Sequence, residues 1–234
     1  MSLLTCVQDA CRDLSLPVLT SVVGNSASHA PLMLRVAKEE LNALATRYEW
    51  QRLRAENTFS ATATAVQVTA SAVPSDFDRM VNETFFNRSA KRRVWGPLSA
   101  TEWQDIQAHS ITMVDPSYYF RGGTILITPT PTAGHTFAYE YISTNKARSN
   151  AGTAQENWQA DSDTTVFRED IVTLGVGWRY KKAKGYVYTA DQEEYERRVA
   201  EAILRDGTRG RLSCDAPDMI RRPQPPLVPD TVTA

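Results

Sequence analysis

Histidine and cysteine are scarce in this 234-residue sequence, three of each, and neither sign of charge predominates: 26 basic and 27 acidic side chains leave a formal charge of −1. Cys6, Cys11 and Cys214 are too few and too scattered for a disulfide framework, and an odd count leaves a free thiol. Synthesis in a reducing, cytoplasmic setting fits that usage. With only His29, His109 and His135 to supply an imidazole, and none beside a G-x-S-x-G elbow or a cysteine signature, nucleophilic catalysis has no visible constellation. Metal ligation is as poorly provided, because Cys6 and Cys11 have no second pair and the histidines lie far apart. Gly175-x-Gly177 lacks the third glycine and the preceding strand of a nucleotide-binding loop. The expectation is a protein without a catalytic residue, metal or cofactor. Near neutrality excludes a polybasic nucleic-acid tether. No run approaches the roughly 18 apolar residues that span a bilayer, so no membrane partner is expected. Residues 1–5 carry neither a basic n-region nor an apolar h-region, which predicts a soluble protein that is not secreted.

What is present is an ordinary globular composition, 42% hydrophobic and 23% charged. Residues 3–13 suit a short helix. From Ala30 to Tyr48, Leu34, Ala37, Leu41, Leu44 and Tyr48 fall on one helical stripe, with Lys38, Glu39, Glu40 and Arg47 covering the rest. The period then drops to two: Leu53, Ala55 and Phe59 alternate with Arg52, Arg54, Glu56 and Thr58, as in a half-buried strand. A Thr/Ala-rich run with Val66 and Val68 is its expected partner. Residues 118–121 and 124–128 flank Gly122-Gly123, which predicts a β-hairpin, and 136–142 alternates Phe137, Tyr139 and Tyr141 with Ala138, Glu140 and Ile142. Ser99-x-x-Glu102 has the form of a capping box and opens a short helix to Ala108 carrying Trp103 and Ile106.

Helical patterns return after a polar stretch. Ile171, Leu174 and Trp178 share a face, and Gly175 and Gly177 beside them are small enough to let a subunit or another helix approach closely. A last helix opens at Thr189-x-x-Gln192, buries Tyr195, Val199 and Ala202 or Ile203, and stops at Gly207. Five prolines (Pro217, Pro223, Pro225, Pro226, Pro229) mark an extended end with no core of its own. The fold class is therefore α+β: a helical bundle from both ends of the chain (1–49 and 164–208), an inserted β-rich segment (50–145; hairpin, small barrel or sandwich), a polar connection (146–163) and an extended proline-rich tail (209–234). Two basic clusters stand out locally, Arg88-Lys91-Arg92-Arg93 and Arg179-Lys181-Lys182-Lys184; each is either solvated surface or a face toward phosphate. Tyr139-Glu140-Tyr141 could serve as a surface platform in a small hydrolase or carbohydrate-binding module, although alternation explains it as strand packing.

Several segments together resemble the head-to-tail adaptor (connector) proteins of tailed bacteriophages, the tail-tubular or tail-accessory type of short-tailed phages. They are Phe77-Asp78-Arg79-Met80-Val81-Asn82-Glu83-Thr84-Phe85-Phe86-Asn87-Arg88, Val94-Trp95-Gly96-Pro97-Leu98-Ser99 with Glu102-Trp103, Tyr119-Phe120-Arg121-Gly122, the stretch from Leu174 to Gly185, and Tyr195-Glu196-Arg197. The resemblance implies a structural virion protein of the neck, assembled in the host bacterial cytoplasm. It implies a ring of twelve copies under the portal ring, continuing a channel through which double-stranded DNA passes without sequence-specific binding, and meeting a downstream tail or nozzle protein. The tail, with Arg209, Arg211, Arg221, Arg222, Pro223, Pro225 and Pro226, would dock on the portal, since proline lowers the ordering cost of binding. Arg179, Lys181, Lys182 and Lys184 would then face the DNA channel or the next subunit, and Gly175, Gly177 and Trp178 would serve packing. Another neck or tail-completion protein would share nearly all these features.

Overall fold

A computed structural model describes residues 2–67, 72–109 and 113–206. In chain order its helices are α1 (Leu3–Asp13), α2 (Ala30–Arg47), α3 (Ala100–Ala108), α4 (Glu169–Lys184) and α5 (Thr189–Asp206). α1 starts where the Ser2 hydroxyl accepts from the Thr5 amide, pairing one of the N–H groups that a first turn leaves open. α2 begins with Pro31 in its first turn, a position that needs no amide proton. α4 has Glu169 and Asp170 at its start and Lys181, Lys182 and Lys184 at its end, both complementary to the helix dipole. It packs against α1, α2 and α5 and so forms the centre of the bundle. Leu3, Val7, Met33, Leu41, Val172, Val176 and Val199 fill the space between. Elements from both ends of the chain thus share one core, as the α+β reading expected.

Two local expectations change. The buried stripe of α2 runs through Met33, Val36, Ala37, Leu41 and Leu44, while Leu34 and Tyr48 are only partly buried, because α1 and α4 cover a face rotated from the one the leucines suggested. Glu40, expected among the solvated residues, is 0% exposed. At the other end, α5 starts at Thr189, which places that threonine inside the first turn instead of ahead of it as a cap.

Between α2 and α4 lie three antiparallel sheets, two of which build the inserted segment. In one, β1 (Arg54–Ser60) pairs along its whole length with β8 (Thr136–Ser143), which also receives β3 (Phe77–Met80) and β4 (Phe86–Asn87); β5 (Arg92–Arg93) adds to β4. In the other, β7 (Thr124–Thr128) lies between β2 (Val66–Gln67) and β6 (Ser117–Arg121). β2 therefore joins β7 and not β1, contrary to the sequence expectation; Val68 is outside the described residues. The aromatic face of β8 decides the pairing, since Phe137 opposite Phe59 stacks on it at 5.7 Å. The β6–β7 hairpin turns at Gly122 and Gly123, whose φ values of 58° and 75° suit the primed turn that strand twist favours. Both sheets share one core of Phe59, Phe85, Tyr118, Ile125, Phe137 and Tyr139.

α3 closes over this unit. Ser99 accepts from the Glu102 amide while the Glu102 carboxylate accepts from the Ser99 amide, a complete capping box, and Trp103 stacks on Tyr119. Ser99→Ala is expected to lower unfolding free energy by about 1 kcal/mol. A urea midpoint is the measurement; an unchanged midpoint would mean that Trp103 alone holds α3.

The stretch 146–163, expected as a polar connection, contributes β9 (Ala147–Arg148) and β10 (Ala154–Gln155), which pair around β9 with β11 (Thr164–Thr165). Its polar residues tie loops together. The Asp161 carboxylate accepts from the Val22 and Val23 amides, and the Asp161 and Asp163 carbonyls accept from Leu4 and Leu3. Trp158, buried in the helical core, anchors the stretch.

Candidate functional site

The four basic residues singled out on α4 do not form one free patch. Arg179 Nε donates at 2.6 Å to the Glu40 carboxylate, across the α2–α4 contact, and its guanidinium lies 4.6 Å from the Trp178 ring centre. Lys181 Nζ donates at 2.8 and 2.7 Å to both oxygens of Asp191 on α5. Both charges are spent inside the chain. Lys182 and Lys184 remain exposed, over the rings of Trp178 and Tyr180 respectively. They lead into the turn that carries Tyr186 and Val187, exposed to 60% and 87%. This tip, two cations and two apolar side chains, is the part of the expected basic site that is free to meet another molecule.

Glu40 is the residue that sequence reasoning missed. Burial pushes its carboxyl above the ordinary carboxylate range, and the Arg179 guanidinium works against that shift. Burial and the neighbouring Glu40 charge likewise raise the Tyr195 hydroxyl. Arg47 binds Glu196 through both guanidinium nitrogens, linking α2 to α5 on the exposed side and holding the Glu196 carboxyl below its usual range. Gly175 allows this cluster to exist: a Cβ there would lie 2.2 Å from the Glu40 carboxyl carbon. Gly177 meets nothing comparable, and Trp178 is buried against Tyr188 and Tyr195. A signal was present in the sequence, since Glu40 lies four residues from both Val36 and Leu44, on the stripe that is buried.

The second basic cluster is partnered in part: Arg88 and Arg93 have partners, while Lys91 and Arg92 are exposed. Arg88 binds Glu56, Arg93 lies 3.4 Å from Glu83, and the Arg93 guanidinium sits over Trp95 at 4.5 Å. Acids distant in sequence were invisible to a local count. The aromatic platform reading is overturned: Tyr139 and Tyr141 are 1% and 6% exposed and face the core, and burial raises both hydroxyls to about 12, leaving only Glu140 at the surface. No group of three or more metal-ligating side chains gathers among the described residues, and no described helix is long and apolar enough to cross a membrane. Arg209, Arg211, Arg221, Arg222, Pro223, Pro225 and Pro226, the expected portal-docking residues, lie outside the described residues, as does Cys214.

One further feature was not anticipated. Where α5 ends, Leu44, Trp50, Val166, Phe167, Ile171 and Ala202 line a cavity of about 130 Å³, together with Arg52, Arg168, Arg205 and Asp206. Trp50 and Phe167 meet edge to face at 5.7 Å in its wall. The arrangement offers surfaces and a mainly apolar recess. A search of curated proteins finds no match. The family model described as SU10 adaptor protein matches residues 1–222, which includes the bundle, the sheets and the C-terminal stretch as far as Arg222, ahead of four of its five prolines. By that match the chain belongs to the SU10 adaptor protein family, a family of phage head-to-tail adaptors, and its role is structural.

Proposed function

We propose that this chain forms a ring of twelve copies beneath the portal of a DNA-filled head and joins the head to the tail. The family match over residues 1–222 carries the reading. In it, residues 1–49 and 164–208 are the ring-forming helical unit, 50–145 an insertion toward the tail or nozzle protein, and 209–234 the arm that docks on the portal. Proline fixes φ in advance, so an arm with five prolines loses less freedom on docking than an ordinary segment. Lys182 and Lys184 face the DNA channel or the next subunit. Lys182 and Lys184 in a chain of charge −1 give weak, salt-screened contact with phosphate, which suits DNA that must pass. Copies fold in the host bacterial cytoplasm and close into a ring on the portal template, where the contacts reinforce one another.

Light scattering of the protein mixed with its portal ring tests this. Full-length chain is expected to add in a fixed multiple, and a chain ending at Gly207 is expected to leave the portal mass unchanged. Binding by neither form would overturn the portal reading and favour a neck protein that meets only the tail. Binding by both would move the docking contact to the helical unit.

A further inference from the structure

The cavity at the end of α5 lies where the described chain leaves the bundle. Its lining comes from four separate places, Leu44 of α2, Trp50 and Arg52 beyond it, Val166 to Ile171 leading into α4, and Ala202 to Asp206 of α5, so it is a recess between elements and not a gap between side chains of one helix. Apolar cavities near 150 Å³ stay dry and accept a group as large as benzene. A 130 Å³ recess with two aromatic rings and four aliphatic side chains in its walls, and Arg52, Arg168, Arg205 and Asp206 as its polar lining, has apolar room for a single branched aliphatic group. Asp206, at the rim, is held in place because its carboxylate accepts from the Gln51 amide at 2.8 Å.

The next residues restrict what fills it. Gly207-Thr208-Arg209-Gly210-Arg211 contains no apolar side chain, and Leu212 is the first residue that could enter. Six residues reach about 20 Å when extended, far more than the distance across a recess whose rim is the start of that segment. The excess permits the reversal that entry requires, and Gly207 and Gly210 accept the backbone angles of a tight turn. Tethering this close makes the local concentration of Leu212 at the recess high, so a contact of one side chain suffices to populate it.

We infer that the cavity lined by Trp50, Phe167 and Ala202 is the docking site for Leu212 of the same chain. The root of the arm is thereby fixed against α5, and the free length before Arg221 shortens from the stretch after Asp206 to the stretch after Leu212. The inference goes beyond the adaptor reading and does not depend on the portal.

Methyl NMR on the full chain tests it. Leu212 methyl signals, assigned by their loss in Leu212→Ala, are expected upfield of their random-coil positions, with cross-relaxation to the ring protons of Trp50 and Phe167. In Leu212→Asp those ring protons lose the cross-peaks. In Ala202→Leu, which fills the recess from within, the Leu212 methyls return to random-coil positions while the dispersion of the other methyls reports that the bundle is intact. Leu212 at random-coil shifts in the unmodified chain would overturn the inference. So would cross-peaks that persist when methyl-labelled copies are mixed with separately ring-labelled copies, because the occupant would then be a second copy.

Discussion

Arg179→Met is expected to destabilise the helical bundle by about 3–5 kcal/mol at neutral pH, the range for removing one partner of a buried ion pair. Glu40 is 0% exposed and Arg179 side-chain exposure is 23%, so water cannot replace the lost guanidinium. Methionine keeps part of the apolar stem but not the guanidinium that lies 4.6 Å from the Trp178 ring centre, so the variant loses the charge, the hydrogen bond and the ring contact together. Glu40 then escapes the penalty in one way, by holding a proton. Its folded-state carboxyl is already raised by burial, and loss of Arg179 removes the strongest of the groups that oppose that shift, leaving the Tyr195 hydroxyl and the Arg47 charge. Between the ordinary glutamate value near 4.3 and the raised folded value, the folded state binds more protons than the unfolded state, so stability falls as pH rises through that window. The deficit of the variant should therefore be smaller at the ordinary glutamate value, about pH 4.3, than at neutral pH. Urea unfolding at the two pH values is the measurement, and an equal deficit at both would remove Glu40 as its cause. The double variant Glu40→Met/Arg179→Met should lose less than the sum of the single changes, since no uncompensated charge stays buried.

How much of this was legible in the sequence follows from the range of each interaction. The helices were readable because capping, apolar spacing and stop signals all act within a turn or two, as at Ser99 and Glu102. The Gly122-Gly123 hairpin was readable for the same reason. The partner of β1 was not, because Phe59 meets Phe137 across almost eighty positions of chain. Nor was the fate of the charges. Arg179 and Glu40 are 139 residues apart, and whether Arg179 serves a partner molecule or its own fold is decided at a helix crossing that only the folded chain brings together. Lys181 shows the limit at shorter range: its acid lies ten residues on, but only the α4–α5 turn brings them face to face. The recess at the end of α5 draws on residues from 44 to 206, and no local pattern encodes it.

Phe85→Ala is the other change with a large expected effect, about 3–5 kcal/mol on the stability of the β-rich unit. The ring is 1% exposed and touches aromatic neighbours on both sheets: Tyr118 at 5.1 Å, Tyr139 at 5.6 Å and Phe137 at 5.7 Å. Tyr118 comes from β6 and the other two from β8, so Phe85 fastens one sheet to the other. Its loss leaves a cavity that cannot collapse without separating the sheets. The magnitude matters less than where the loss is felt. If 50–145 is an insertion with its own core, as proposed, amide exchange should accelerate along β1, β6, β7 and β8 and remain slow in α1, α2, α4 and α5. Ile142 provides the stricter control, because it sits on β8 yet belongs to the core of the bundle. Equal acceleration in both sets of amides would make the two cores one cooperative unit and end the division into a ring-forming bundle and a separate insertion. Protected helices beside destabilised strands would mean that the insertion can vary from one adaptor to another while the bundle, and the contacts it makes, stay the same.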